Sequence, residues 1–321
     1  MKNKNDVSAC IHCHVCQNEC EFLKKYGIDI GDTKKLKELS YHCFLCGKCT
    51  EVCPAGIDGR EYILGLRREN VQASDGTFRE KGYGMLLKEK KDYIYKNYRH
   101  ATGKCVLFPG CNFPSFYPKT TKKLVKVLAD HGIGVAYDCC GKPIAELGLE
   151  ADEKRIIQRI NDEFEKRGIE EVVMLCPNCY AFLKPHLKVK VTDIYEKLAE
   201  LGIGKRSLEP GKVFLPCPDR EKQVILSSVE CFVDGALEPV KGVQCCGLGG
   251  CAPAKEPELA KNMASALAEE GKVYSYCASC SGNLTRGGCQ DVRHLLTEIL
   301  GTGEKPDVKK SMINRAKTKF A

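Results

Sequence analysis

The sequence predicts an α/β chain: a helical, cysteine-rich module in front and a duplicated α/β unit behind it. Three observations carry this. Eight cysteines between Cys10 and Cys53 fall into two runs of identical spacing. From about Gly103 the pattern changes to short apolar runs alternating with amphipathic helical segments. The second half of the chain then repeats the cysteine pattern of the first at constant offsets.

The first run is Cys10, Cys13, Cys16, Cys20, and the second is Cys43, Cys46, Cys49, Cys53 followed by Pro54. Both read C-x2-C-x2-C-x3-C, the bacterial ferredoxin signature, in which three cysteines hold one cubane and the fourth crosses to the other. Three thiolates two residues apart wrap one corner of a cube; the remaining iron must be reached from elsewhere. By that rule Cys10, Cys13, Cys16 and Cys53 hold one [4Fe–4S] cluster, and Cys43, Cys46, Cys49 and Cys20 hold the other. Zinc also takes four thiolates, but its sites more often use two separated C-x-x-C hooks. Glu21 stands where the second run has Pro54, a departure that costs no ligand. His12, His14 and His42 are read as loop residues packing over the clusters. Leu36 and Leu39 sit at helical spacing behind a cap at Asp32 or Thr33, which predicts a helical module.

Composition bounds the rest. The chain has 321 residues, enough for two or three domains with real cores. No stretch approaches the roughly 20 apolar residues of a membrane helix. The opening "MKNKNDVSACIHC" has no apolar signal core, so a cytoplasmic location is expected. Net charge is +8, from 50 basic and 42 acidic residues, which does not argue for nucleic acid. The basic stretch "LLKEKKDYIYKNYRH", 86–100, is read as a solvated helix linking two domains. The 22 cysteines, without an export signal, point to metal and not to disulfides.

Behind the linker, "KCVLFPGC" reads as a strand ending in Cys111 and "KTTKKLVKVLADHG" as a helix stopped by Gly132. "GVAYDCCG" reads as a second strand running into Cys139 and Cys140, and "EEVVMLCPNC" as a third ending in Cys176 and Cys179. The second half repeats this order with "KVFLPC" ending in Cys217, "KGVQCCG" carrying Cys245 and Cys246, and "GKVYSYCASC" ending in Cys277 and Cys280. Cys111 and Cys217, Cys139 and Cys245, and Cys140 and Cys246 are each 106 residues apart; Cys176 and Cys277, and Cys179 and Cys280, are 101 apart. The expected domains are 1–70 (two-cluster module), 71–102 (helical linker), 103–205 (first repeat) and 206–321 (second repeat). Cysteines at strand C-terminal ends mark the edge where α/β sites assemble. Five per repeat exceed what one zinc would use.

The pattern C…CCG…C-x-x-C resembles the cysteine-rich CCG domain. That domain occurs twice in the catalytic subunit of heterodisulfide reductase, in its B type and in the counterpart D type. It also occurs in iron–sulfur subunits of anaerobic glycerol-3-phosphate, glycolate and lactate dehydrogenases. A two-cluster ferredoxin module followed by two CCG repeats resembles the D-type heterodisulfide reductase and the iron–sulfur subunit of anaerobic glycerol-3-phosphate dehydrogenase. The resemblance implies two noncubane [4Fe–4S] clusters with five cysteines each: Cys111, Cys139, Cys140, Cys176, Cys179 for one; Cys217, Cys245, Cys246, Cys277, Cys280 for the other. Absence of one, or zinc in its place, is the alternative. It further implies electron transport through the cubanes to a disulfide lying between the two noncubane clusters, in an anaerobic oxidoreductase acting on sulfur groups. The rival is an electron-transfer subunit of a flavin-dependent dehydrogenase complex. The family's "PGC" is present as Pro109-Gly110-Cys111, but Cys217-Pro218 stands where the family has Cys-His.

Cys105, Cys231, Cys251 and Cys289 remain, each read as a small buried or unused thiol, with Cys251 the best candidate for an alternative ligand. Lys142 and Arg220 follow ligands directly and are read as loop charges or as charges offsetting the clusters. Asp193 and His294 share a repeat position and read as structural residues at helix starts. Gly247 is read as letting backbone and cofactor approach. The tail "KPDVKKSMINRAKTKFA" is read as a frayed end or a docking segment. With no flavin or nicotinamide motif in the sequence, the expected partners are a flavoprotein or other electron-donor subunit and a small thiol or disulfide substrate. Peripheral association with a membrane subunit is compatible with this.

Overall fold

The computed structural model describes residues 6–321. Before Cys105 it contains short helices and no strand among the described residues. Each cysteine run bends around a short helix, Val15–Glu19 in the first and Lys48–Glu51 in the second. The longest helix of the module, Gly59–Gln72, begins at Asp58, whose side chain accepts from Glu61 N–H.

Two four-stranded parallel sheets follow. The first is built from β1 Cys105–Phe108, β2 Gly134–Val135, β3 Glu171–Met174 and β4 Lys190–Asp193, in the order β2-β1-β3-β4. The second is built from β5 Gly211–Phe214, β6 Leu237–Pro239, β7 Val273–Ser275 and β8 Val292–His294, in the order β6-β5-β7-β8. The two orders are the same, as duplication of one unit requires. The strands carry continuous apolar runs because both faces are covered: Val106, Leu107, Val172 and Val173 are all fully buried. Helices Pro118–Ala129 and Glu150–Lys166 return the chain between strands, burying Leu124, Leu128, Ile160 and Phe164.

The order fixes where the sites fall. In the first sheet the direction of winding switches between β1 and β3, and the crevice beyond their C-terminal ends is the expected binding position. Cys111 follows β1 and Cys176 follows β3. In the second sheet Cys217 follows β5 and Cys277 follows β7. Asp193 and His294 begin helices as expected, Asp193 accepting from the Tyr195 and Glu196 N–H groups and His294 Nδ1 from the Leu296 N–H.

Four local expectations differ from the structure. "GVAYDCCG" joins the sheet only at Gly134–Val135, and "KGVQCCG" forms no strand; the strand of that position lies earlier, at Leu237–Pro239. The backbone carbonyl of Gln244 goes to Arg220 Nη2 instead, at 2.5 Å. The stretch 86–100 is not a solvated helix. Its helix ends at Lys90, and Asn97 exchanges backbone hydrogen bonds with Tyr137, which draws Lys90, Tyr93 and Tyr98 into the interior. The tail is neither frayed nor free. Helix Ser311–Lys317 packs on Phe113–Phe116, with Asn314 Nδ2 donating to the Ser115 carbonyl at 3.2 Å. Gly247, at φ +81, faces helix Pro257–Ser265, where a Cβ would come within 2.5 Å of the Ala260 carbonyl oxygen, so its missing side chain admits that helix.

Several contacts join the module to the repeats. Arg67, fully buried, donates to the carbonyls of Ser40, Cys43, Glu146 and Gly250, so one guanidinium ties all three parts together. Glu256, 1% exposed, binds Lys25, Tyr26 and His42 of the module. Gly249 and Gly250 lie directly on the second cysteine run: a Cβ on either would fall 2.2 Å from the Phe44 carbonyl oxygen or 2.4 Å from that of Cys43. The glycines of "CCGLGG" thus make a close backbone contact.

Candidate iron–sulfur sites and the cavity between them

The crossed assignment of the two runs is what the fold brings together. Cys10, Cys13, Cys16 and Cys53 line one small cavity, with Cys13 exposed. Cys20 sits among Cys43, Cys46 and Cys49, all buried. Cys16 lies beside Cys49, so the two groups are neighbours. The histidine rings pair with carboxylates, although His12 lies beside Cys10, its backbone N–H bonding that sulfur. His12 and His14 pair with the buried Asp29 at 2.9 and 3.2 Å, and His42 pairs with Glu256 at 2.7 Å.

The ten CCG cysteines form two alike constellations. Cys111 contacts Cys139, Cys140 contacts Cys179, and Cys176 contacts Cys179. In the second repeat Cys217 contacts Cys245, Cys280 contacts Cys246, and Cys277 contacts Cys280. The two meet where Cys176 touches Cys277, which are equivalent positions of the repeat. A pseudo-twofold axis therefore passes between the sites. Cys245 also touches Cys46 of the module. From neighbour to neighbour the four groups form one series: the group with Cys53, the group with Cys20, the second repeat, the first repeat.

The donor sets fit iron. All 22 cysteines are free thiols. Burial pushes Cys43 up to about 11 and raises Cys20 and Cys49 further. At Cys111, Cys179, Cys245 and Cys280 a neighbouring thiol raises the pKa most, with burial adding to it. So many thiols cannot ionise together at such closeness without a cation between them, and soft thiolate sets of four and five suit iron–sulfur clusters.

Between the two repeats lies a cavity of about 460 Å³, within the about 300–1,000 Å³ of small-molecule sites. Cys111, Cys139, Cys140, Cys176 and Cys179 line one side; Cys217, Cys246 and Cys280 line the other. Lys142 faces it and pairs with Glu146. Arg286 and Arg315 face it together; burial lowers the Arg286 pKa, and the nearby Arg315 lowers it further. Arg315 is held by Glu89 at 2.8 Å and Asn112 at 2.7 Å, while Arg286 finds only Ser311 Oγ at 3.2 Å. Tyr83 Oη, also at the wall, is buried without a protein partner.

Sequence reasoning missed Lys90 and Arg315. Lys90 is 7% exposed and lies near Cys111 and Cys139; burial opposes its charge, but the two sulfurs outweigh it and raise its pKa. Arg220 offsets ligand charge, with Nη2 3.5 Å from Cys217 Sγ. Cys105 and Cys231 lie away from the sites, at a strand start and on the surface. Cys251 lines the cavity but turns its sulfur to the Pro143 carbonyl at 3.7 Å. Cys289 packs in the apolar cluster behind Cys277 and Cys280.

This fold and these sites define a two-cluster iron–sulfur module carrying a duplicated cysteine-rich α/β unit. Comparison agrees. Residues 6–57 match the 4Fe-4S dicluster domain, and residues 105–184 match the CCG cysteine-rich domain. The chain is 26% identical to an uncharacterized iron-sulfur protein of Methanococcus maripaludis, over 81% of this chain and 62% of that one. It is 26% identical to a subunit of the fumarate reductase (CoM/CoB) of Methanothermobacter marburgensis, over 94% of this chain and 73% of that one. It is 25% identical to a subunit of the dihydromethanophenazine:CoB–CoM heterodisulfide reductase of Methanosarcina mazei, over 86% and 81%. The chain thus spans under two thirds of the first of these relatives. It is similar to subunits of heterodisulfide reductase and of CoM/CoB fumarate reductase, and its two matched segments are of iron–sulfur and cysteine-rich type. No helix among the described residues is long and apolar enough to cross a membrane.

Proposed function

We propose that the chain is a heterodisulfide-reductase-like oxidoreductase subunit that interconverts a disulfide and two thiols. Cys10, Cys13, Cys16, Cys53 and Cys20, Cys43, Cys46, Cys49 would hold two cubanes that supply the entry for electrons, and the five CCG cysteines of each repeat would hold the noncubane clusters that receive them. The observation that carries this reading is one cavity whose two sides are built from equivalent cysteines of both repeats. A disulfide has two sulfurs to place, and such a cavity offers a site to each. Two electrons and two protons convert one disulfide into two thiols. Bound clusters supply one-electron storage and Lewis-acidic iron.

The chain's own residues select and hold the substrate. Arg286 and Arg315 both line the cavity and repel each other, so an anionic group beside them would relieve that repulsion. The substrate class that follows is a disulfide of thiols bearing a carboxylate, sulfonate or phosphate. Tyr83 Oη is available to donate to it. The buried Lys90 offsets the charge of the first CCG site, while the charge of Lys142 is taken up by Glu146. The electron donor is a partner flavoprotein or a comparable subunit, in the cytoplasm or at a membrane through that partner. Relatives named as subunits support a complex.

A second reading, an electron-transfer subunit of a flavin-dependent dehydrogenase complex, draws on Pro218. It lines the cavity where the family's histidine would stand. Anaerobic purification with iron and sulfide counting tests the cofactor set. About 16 irons per chain are expected from four clusters of four. A count of about 8 leaves only the cubanes and contradicts the disulfide reading.

A further inference from the structure

Gln244 precedes Cys245 in sequence, and its side chain reaches the other module. Its Nε2 lies 3.4 Å from Cys20 Sγ and 3.3 Å from Cys46 Sγ. Its Oε1 accepts from the Glu21 backbone N–H at 2.8 Å. Its backbone carbonyl accepts from Arg220 Nη2, the same nitrogen that lies 3.5 Å from Cys217 Sγ. One residue, 9% exposed, therefore joins two candidate ligands of the second cubane to the second CCG site.

The orientation of the amide is fixed by chemistry. A backbone N–H can be met only by the carbonyl end, so the NH2 end faces the sulfurs. That N–H exists because position 21 is glutamate. The other run has Pro54 at the same place, and proline has no N–H to give. The duplication points the same way. The first repeat's counterpart of Gln244 is Asp138, a buried carboxylate that accepts from Tyr98 Oη at 2.7 Å and Arg159 Nη2 at 3.2 Å. Asp138 faces no cubane. A carboxylate at 244 would face two thiolates and repel them; an amide donates to them.

We propose that Gln244 is a positioning residue that sets the reduction potential of the second cubane where electrons leave the module, and that the Glu21 N–H orients it. The inference rests on the reading of Cys20, Cys43, Cys46 and Cys49 as that cubane's ligands. Hydrogen bonds to ligand sulfurs favour the reduced, more negative cluster and so raise its potential. Removing them lowers it.

Two variants test this in the full chain purified anaerobically. Gln244→Leu removes the donor. Glu21→Pro removes only its orienting partner, touching no ligand. Position 21 opens helix Glu21–Tyr26, where proline is tolerated, and Cys20 at φ −120°, ψ 112° has the extended conformation a following proline needs. The readout is an EPR-monitored redox titration after iron counting. Gln244→Leu is expected to weaken reduction of the second cubane about tenfold, about 59 mV for one electron. Glu21→Pro is expected to shift it the same way by less, with the first cubane unmoved in both. Unchanged potentials in both variants overturn the proposal. If Gln244→Leu loses the cluster, Glu21→Pro decides alone: an unshifted potential there overturns it. Failure of the ligand reading shows separately, as a wild-type protein without two cubane signals, and overturns both.

Discussion

Arg67→Met is expected to destabilise the folded chain by about 4 kcal/mol or more, a large share of the roughly 5–15 kcal/mol that holds a domain together. The guanidinium makes five hydrogen bonds, two of them to the Ser40 carbonyl and one each to Cys43, Glu146 and Gly250. Methionine fills much of the volume but leaves four buried carbonyls without that donor, at about 1–3 kcal/mol each where no water replaces it. Arg67 also stacks on Tyr41, 5.0 Å from the ring centroid, and its charge lies near Cys43, a candidate cubane ligand. Arg67→Lys keeps the charge but loses the planar fork, so it should recover less than half of the loss. The measurement is the apparent Tm of the cluster-loaded protein, with retained iron after a fixed heat step. A fall of less than about 1 kcal/mol for Arg67→Met would show that the three parts do not depend on this junction.

Cys53→Ala is expected to abolish the first cubane, and Cys20→Ala the second, although each lies in the opposite run. The reason is placement. Cys53 shares a cavity with Cys10, Cys13 and Cys16, and Cys20 is enclosed by Cys43, Cys46 and Cys49. A cubane short of one thiolate in a site built for four loses iron. The EPR spectrum of Cys53→Ala should therefore match that of Cys10→Ala, and Cys20→Ala should match Cys43→Ala, each with about four fewer irons. Matching within runs, Cys53→Ala with Cys43→Ala, would refute the crossed arrangement.

The sequence shows the candidate ligands and the succession of strands in each repeat, because both depend on local pattern. Cysteine spacing is fixed by how a loop wraps a cluster. The buried strands announce themselves through "CVLF", "EVVM" and "KVF", and the constant offsets predict two alike units. What the sequence does not show depends on contacts between distant segments. Lys90 and Arg315 sit in stretches whose charge reads as solvent exposure; they are drawn inward because Asn97 pairs with Tyr137 and the helix Ser311–Lys317 docks on Phe113–Phe116. Arg67 looks like any basic residue of a charged helix. Its four acceptors are scattered from Ser40 to Gly250, and nothing local marks it. Gly249 and Gly250 do leave a signal, but the partner they approach is the backbone of Phe44 and Cys43. Glu21 in place of proline is legible as a departure; its meaning needs Gln244 beside it.

If the two CCG sites face one cavity and act together on one disulfide, EPR of mildly oxidised protein should change when thiols are added. A changed signal is expected with mercaptopropionate, a weaker response with uncharged mercaptoethanol because Arg286 and Arg315 favour an anion, and loss of that response in both Cys111→Ala and Cys217→Ala. A signal that ignores both thiols, or that responds unchanged when either site is removed, would contradict that joint action.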